Sequence, residues 1–186
     1  EGRERRPAGK GEALGAMSSK RCGPLEWSCA LDGFQAERDQ ANTLDTTRVR
    51  VKTPRRELVI IDAPGHKELL KNMIGGASAA TAALLVLDVQ TGSEEQTLRH
   101  AYLLKLLGVR ELVVAINKMD LVDYAEAAFR ARERELVAAL TGIGLAPRAV
   151  VPVSARDGAN LCEPGRMPSW YAGPTLIASL ENLPPP

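Results

Sequence analysis

Short runs of apolar residues that end on polar ones divide this chain into strands. Three such runs are residues 58–61 before Asp62, residues 112–116 before Asn117, and residues 149–153 before Ser154. A Pro-Gly turn follows the first run, which places its carboxylate at the end of a strand. Because the carboxyl ends of parallel strands meet at one edge of a sheet, these polar side chains are expected to lie together. We therefore expect function to cluster at that edge.

Strands alternate with helical patterns along most of the chain. The strict alternation over residues 48–52 predicts an antiparallel hairpin with the strand at residues 58–62. The apolar run at residues 82–89 predicts a strand buried in a parallel sheet. Helices are predicted over residues 24–40, 69–76, 96–107, 124–140 and 174–183. This order indicates an α/β fold with a doubly wound, mostly parallel sheet and one antiparallel hairpin strand.

The composition fits one globular domain. The 186 residues are 45% hydrophobic with a net charge of +1, which allows a core and does not suggest a nucleic-acid binder. No segment approaches the roughly 18 uninterrupted apolar residues of a membrane span. No signal peptide is evident either, so we expect a cytoplasmic protein. Cys22, Cys29 and Cys162 lack metal-ligand spacing, which predicts free thiols.

Composition also divides the chain into three parts. Residues 1–23 are basic with few large apolar residues, and we expect them to be disordered or loosely attached. A solvated tail is favoured there over a basic arm for RNA or an acidic partner. Residues 24–183 form the predicted domain, and the three prolines at residues 184–186 indicate the start of a linker.

The polar residues at the predicted edge resemble those of the G domain of GTP-binding proteins. Three motifs have the order and spacing of that family: Asp62-Ala-Pro-Gly, Asn117-Lys-Met-Asp and Ser154-Ala. His66 and the following Lys71-Asn-Met-Ile narrow the resemblance to the elongation-factor-like GTPases. The resemblance implies the P-loop GTPase fold, GTP or GDP as the nucleotide, and Mg²⁺ as the metal ion.

The Asn-Lys-Met-Asp motif points to guanine. The Asp120 carboxylate can accept two parallel hydrogen bonds from the ring N–H and the exocyclic amine of guanine, a pattern that adenine lacks. The resemblance implies that Asn117 ties neighbouring loops together and touches the base, and that the Lys118 stem lies over its plane. It also implies that Ser154 and Ala155 support the base, with the Ala155 N–H donating to the guanine oxygen. Alone, the Asn and Asp would be interpreted as helix caps.

The same resemblance implies roles at the phosphates. Asp62 would reach Mg²⁺ through a water molecule, and the Gly65 N–H would contact the terminal phosphate, where only glycine allows close approach. His66 would orient the attacking water. Thr43 matches the switch threonine that binds Mg²⁺, although Ala41, Asn42 and Leu44 replace the glycine and the two isoleucines of the family's Gly-Ile-Thr-Ile-Asp.

One part of the family's pattern is missing. Phosphate binding there uses a Gly-rich loop ending in Gly-Lys-Ser/Thr. The only Gly-Lys, at Gly9, is followed by Gly11, and Glu4 stands where the first glycine belongs. We expect the loop and the first strand to have been cut away, which exposes core on the neighbouring strands. Two or three lost contacts of roughly 1.5–3 kcal/mol each amount to about 5 kcal/mol, so we predict weak or no GTP binding.

Further stretches resemble the large subunit of bacterial sulfate adenylyltransferase, among them Leu25-Glu-Trp-Ser, residues 36–40, and Asp120-Leu-Val-Asp-Tyr. The resemblance implies a GTPase that, with a small ATP-sulfurylase subunit, couples GTP hydrolysis to adenylyl sulfate synthesis from ATP and sulfate. A fused or associated adenylyl-sulfate kinase is left open. The alternatives are a translation elongation factor that carries aminoacyl-tRNA, and a degenerate G domain acting as a non-catalytic interaction module.

Overall fold

The structure is a computed structural model that describes residues 47–63, 70–91 and 95–185. Its strands are β1 (Thr47–Lys52), β2 (Glu57–Asp62), β3 (Ala82–Asp88), β4 (Glu111–Asn117) and β5 (Ala149–Pro152). Its helices are α1 (Leu70–Ala77), α2 (Glu95–Leu106), α3 (Glu126–Gly142) and α4 (Leu176–Glu181). The predicted helix at residues 24–40 lies outside the described residues, as do Cys22 and Cys29.

Three of the strands form a parallel sheet in the order β3-β4-β5. Helix α2 connects β3 to β4, and α3 connects β4 to β5, which confirms the predicted α/β alternation. Both helices pack over one face of this sheet, where their apolar side chains meet those of β3 and β4. On α3, Phe129, Leu136 and Leu140 fall at spacings of seven and four residues, so they form one buried stripe. The central strand β4 is consequently buried from Leu112 to Ile116.

Helix α4 covers the opposite face of the sheet. Leu176, Leu180 and Leu183, at and just beyond this helix, pack against Val113 of β4 and Val151 of β5. Thr175 caps the helix, because its hydroxyl accepts a hydrogen bond of 3.3 Å from the Ala178 N–H. The helix is shorter at both ends than the predicted range of 174–183.

The predicted antiparallel hairpin is confirmed and forms a separate two-stranded sheet. Its turn is closed by Thr53, whose N–H donates to the Arg56 carbonyl at 2.9 Å. From that turn, Arg56 Nη2 donates to the Leu183 carbonyl at 2.7 Å, and Arg55 Nη1 donates to Asn182 Oδ1 at 3.1 Å. The hairpin is therefore anchored by its turn to the end of α4.

Strand β3 lies in a parallel sheet as predicted, but only one of its faces is buried, so the expected burial of the whole strand is wrong. Leu85 and Leu87 are 9% and 6% exposed, whereas Leu84 and Val86 on the other face are 38% and 58% exposed. The reason is that the apolar cluster under α4 lies over β4 and β5 and reaches β3 at Ala82 but not at Leu84 or Val86. On β2, Val59 and Ile60 are likewise 54% and 44% exposed. No hydrogen-bonded ladder among the described strands joins β2 to β3. The exposed side chains on these two strands agree with the separate expectation that the loss of the first strand exposes core residues on its neighbours.

The other predicted boundaries need small corrections. Helix α3 begins two residues later than predicted, because Asp123 and Tyr124 have positive φ values of 49° and 54° that a helix cannot accommodate. Helix α2 ends as predicted before Gly108, whose φ of 82° suits a glycine C-cap. Cys162 is exposed and not disulfide-bonded. Within residues 47–63, 70–91 and 95–185, no helix has the length and apolarity needed to span a membrane.

Candidate functional site

The carboxyl edge of the parallel sheet brings three strand ends together. Asp88 and Asn117 are register partners at the ends of β3 and β4, and Ser154 follows β5 closely. The loops beyond these ends are joined by backbone bonds. Met119 N donates to the Val153 carbonyl at 3.2 Å, and Val153 N donates to the Ile116 carbonyl at 2.9 Å. The sequence expectation that strands deliver polar residues to one edge therefore holds for β4 and β5.

Asn117 connects the two loops. Its side-chain oxygen Oδ1 accepts from the Lys118 N–H at 2.7 Å and from the Ala155 N–H at 2.9 Å. The first bond accompanies the left-handed conformation of Lys118, with φ 64°. The second uses the Ala155 N–H that the sequence analysis directs toward the guanine oxygen.

Asp120 is held at the start of a single 3₁₀ turn, Met119–Val122. Its Oδ1 accepts a 2.7 Å hydrogen bond from the Ser154 hydroxyl, and its Oδ2 lies 3.9 Å from Arg156 Nη1. Ser154 is buried and exchanges two backbone hydrogen bonds with Ala159, at 3.1 and 3.0 Å. The Asp120 side chain is only 14% exposed, so the carboxylate is largely buried at the sheet edge. One of its two oxygens is held there by Ser154.

A second layer of contacts holds this loop from behind. The Tyr124 hydroxyl donates to Asp157 Oδ2 at 2.9 Å, and Trp170 Nε1 donates to the Tyr124 carbonyl at 3.0 Å. The Trp170 ring packs against Phe129 of α3 with centroids 5.4 Å apart. Burial, together with the hydrogen bond to Asp157, raises the pKa of Tyr124. Our reading of the sequence missed this support because it joins residues more than 30 positions apart.

Asp88 is a further charged group that the sequence analysis missed. Its Oδ2 lies 2.7 Å from Lys118 Nζ. Partial burial acts to raise the pKa of Asp88, but the hydrogen bond from Lys118 and a backbone bond from Gln90 hold that pKa below its ordinary value. The same pair raises the pKa of Lys118. The available signal was that Asp88 interrupts the run at residues 82–89, which we had treated as continuously apolar.

Of the residues predicted to bind phosphate and metal, only Asp62 lies within the described part of the chain. Asp62 lies half-buried at the end of β2, opposite Thr47 of the hairpin. Thr43, Gly65 and His66 lie outside the described residues. Among the residues that are described, no group of three His, Cys, Asp or Glu side chains could hold a metal ion. The described part of the chain therefore brings together Asn117, Lys118, Asp120, Ser154 and Ala155.

The sequence matches a known family along nearly its whole length. The family described as "Elongation factor Tu GTP binding domain" matches residues 9–184. The chain is 40% identical over 158 residues to sulfate adenylyltransferase subunit 1 of Tolumonas auensis, covering 85% of the chain and 34% of that protein. It is also 40% identical over 162 residues to elongation factor 1-alpha of Thermococcus celer, covering 87% of the chain and 38% of that protein. The chain thus spans about a third of the length of these relatives.

Solved structures of two other proteins share the fold. The bacterial selenocysteine-specific elongation factor EF-Sec matches with a TM-score of 0.60 and 29% identity, over 69% of this chain and 22% of that one. Sup35 complexed with GDP matches with a TM-score of 0.57 and 27% identity, over 73% of this chain and 34% of that one. Both likenesses agree with the predicted GTPase fold.

Proposed function

Because the chain belongs to the elongation factor Tu GTP-binding domain family, we propose that its polar sheet edge recognises the guanine base of GTP and GDP. Membership makes it a GTPase domain of the translation-factor type. The observation that carries the assignment of residues is the fixed carboxylate of Asp120. Ser154 holds its Oδ1, so Oδ2 and the free lone pairs are left to accept the ring N–H and the amine of guanine.

The neighbouring residues complete the base site. Asn117 contacts the base edge and the Lys118 stem covers one face of the ring. The Ala155 N–H, which donates to Asn117 Oδ1 at 2.9 Å, would be shared with the guanine oxygen when the base is bound. The Arg156 side chain is 75% exposed and its contact with Asp120 is long, at 3.9 Å, so an arriving base can replace it. Asn117 Oδ1 already accepts hydrogen bonds from the N–H groups of Lys118 and Ala155, so it joins the loops after β4 and β5. The site is therefore preorganised before a base arrives.

The phosphate side rests on the family resemblance. Thr43 and Asp62 would hold Mg²⁺, Gly65 would contact the terminal phosphate, and His66 would orient the attacking water. The 186 residues contain no Gly-Lys-Ser/Thr loop. The base contacts must therefore supply most of the affinity for the nucleotide, and we expect a dissociation constant on the order of 1 mM for GDP.

A titration followed by NMR tests the base assignment. GDP is expected to shift the amide signals of residues 117–120 and 154–156, while ADP at the same concentration leaves them in place. Guanosine is expected to bind about as well as GDP, because few phosphate contacts remain. Equal shifts with ADP and GDP would contradict recognition of guanine.

For the whole protein we propose the GTPase role of the large subunit of sulfate adenylyltransferase in the cytoplasm. Support comes from the subunit 1 relative and from the sequence stretches shared with that family. The partner would be a small ATP-sulfurylase subunit, with an adenylyl-sulfate kinase fused or associated. Elongation factor 1-alpha is the second candidate because it is equally similar, and a degenerate interaction domain is the third.

Size-exclusion chromatography separates these candidates. The chain is mixed in turn with the purified small subunit of a bacterial sulfate adenylyltransferase and with aminoacyl-tRNA. Coelution with the small subunit alone is the expected result. Coelution with aminoacyl-tRNA alone would favour the elongation factor. Coelution with the small subunit but no guanine-dependent NMR shift would favour the degenerate domain.

A further inference from the structure

The ion pair between Asp88 and Lys118 links the end of β3 to the base-recognition loop. Asp88 is the register partner of Asn117, so its carboxylate stands beside the start of the Asn-Lys-Met-Asp motif. Lys118 Nζ lies 2.7 Å from Asp88 Oδ2. The Lys118 side chain is 53% exposed and that of Asp88 is 20% exposed, so the pair lies at the surface of the edge. A base that stacks on the Lys118 stem would therefore meet a stem whose end is already held.

Asp88 is itself fixed from two sides. The Gln90 N–H donates to Asp88 Oδ1 at 2.8 Å, which leaves Oδ2 for the lysine. From α3, Arg132 Nε donates to the Val89 carbonyl at 2.8 Å, and Arg132 Nη2 donates to the Gln90 carbonyl at 2.9 Å. Arg132 is in turn paired with Glu135 at 2.7 Å. The turn that follows β3 is thereby attached to the helix behind it.

Lys118 is fixed at both ends as a result. Its backbone has a φ of 64°, and its N–H donates to Asn117 Oδ1 at 2.7 Å. A lysine side chain has four rotatable bonds, and ordering it opposes binding. If the ammonium group is already held, less of that ordering remains to be done when the base arrives.

We propose that Asp88 is a positioning residue for guanine-nucleotide binding, because it holds the ammonium of Lys118 so that the lysine stem lies ready along the base. The proposal rests on the base site assigned above. Asp88 itself does not touch the base, and Arg132 assists by fixing the turn that carries it. The ion pair between Glu111 and Arg148 lies at the opposite end of β4, away from Lys118, and serves as a comparison.

Asp88→Asn tests this role in the full chain, because it removes the charge and keeps the shape. We expect the dissociation constant for GDP, measured by NMR, to rise two- to fivefold, as for a partly exposed ion pair. In a second measurement, brief acylation of lysines followed by mass spectrometry reports Lys118 directly. Its acylation is expected to become faster, because the free ammonium loses its partner and its pKa falls toward the ordinary value.

A matched control and a double-mutant cycle distinguish positioning from a general loss of structure. Glu111→Gln removes the ion pair with Arg148 from the same sheet and is expected to leave the GDP affinity unchanged. In a Lys118→Met background, which keeps the stem and removes the ammonium, Asp88→Asn is expected to have no further effect.

The outcomes separate this proposal from the base site. Unchanged GDP affinity and unchanged Lys118 acylation in Asp88→Asn would overturn the positioning role while leaving the base site intact. A loss of affinity that persists in the Lys118→Met background would also overturn it, since Asp88 would then act by another route. The titration extends to about 10 mM GDP, roughly ten times the expected dissociation constant. If the parent chain shows no GDP-dependent shift at that concentration, the assignment of the base site is wrong, and the positioning role that rests on it is wrong too.

Discussion

The base-recognition edge is packed more completely than β2 and the outer face of β3. At the base-recognition edge, strand β4 is covered on both faces, by α2 and α3 on one side and by α4 on the other. On β2 and on the outer face of β3, large apolar side chains are exposed instead. The base edge is thus supported by elements lying between Ala82 and Leu183, whereas β2 and the outer face of β3 are left uncovered by the described elements.

The largest expected effect compares two neighbouring leucines on β3. Leu85 faces the packed side and Leu84 the exposed side. We expect Leu85→Ala to lower the free energy of unfolding by about 2–3 kcal/mol, because it leaves a cavity against α2 and α3. Leu84→Ala is expected to cost less than about 1 kcal/mol. Urea denaturation measures both. Equal losses would mean that the outer face of β3 is covered in solution and would remove the contrast.

A smaller effect is expected within the base edge. Ser154→Ala removes the donor to Asp120 Oδ1 from a buried position. We expect about 1–2 kcal/mol less stability, together with several-fold weaker GDP binding. The matched control is Ser78→Ala, whose hydroxyl donates to the Gly75 carbonyl on an exposed turn and is expected to change stability by less than about 0.5 kcal/mol. If the two variants were equally stable, Ser154 would not be a support for Asp120.

The smallest expected effect is a pH dependence on the packed side. His100 lies on α2, and partial burial lowers its pKa below 6.5. Because His100 binds a proton more readily in the unfolded chain, its protonation favours unfolding. The contribution of neutral His100 to the free energy of unfolding is therefore fully present above pH 6.5 and is lost as the pH falls below that value. Thermal melts between pH 7 and 5 should show a smaller decrease for His100→Gln than for the parent. Identical decreases would show that His100 does not contribute.

The sequence predicts most of the packed region, because its signals are local. The apolar run of β4 and the periodic stripe of Phe129, Leu136 and Leu140 identify elements whose covering lies within the same stretch of chain. The burial of Leu84 and Val86 was predicted wrongly, since a continuous apolar run says nothing about whether a helix covers each face. A strand buried on both faces needs partners from elsewhere, which no local pattern reports.

The candidate site likewise contains residues that local sequence signals predict and residues that depend on contacts between distant elements. Asn117, Asp120 and Ser154 follow strand ends, so their meeting at one edge could be deduced from strand order alone. Asp88, Arg132 and Trp170 could not be, because their contacts depend on side-chain reach across elements. The Lys118 ammonium meets Asp88 from the neighbouring strand, a pairing that requires the parallel register of β3 and β4 to be known.

Asp120 is proposed to select guanine at a preorganised sheet edge. The direct test is an NMR titration of the parent and of Asp120→Asn with GDP and with xanthosine diphosphate. Xanthine carries a carbonyl where guanine carries its amine, so the asparagine amide can donate to it while the aspartate repels it. We predict that the parent binds GDP weakly and the variant prefers the xanthosine nucleotide. If the variant keeps the parent's preference for GDP, or if neither protein distinguishes the two bases, Asp120 does not recognise the guanine base.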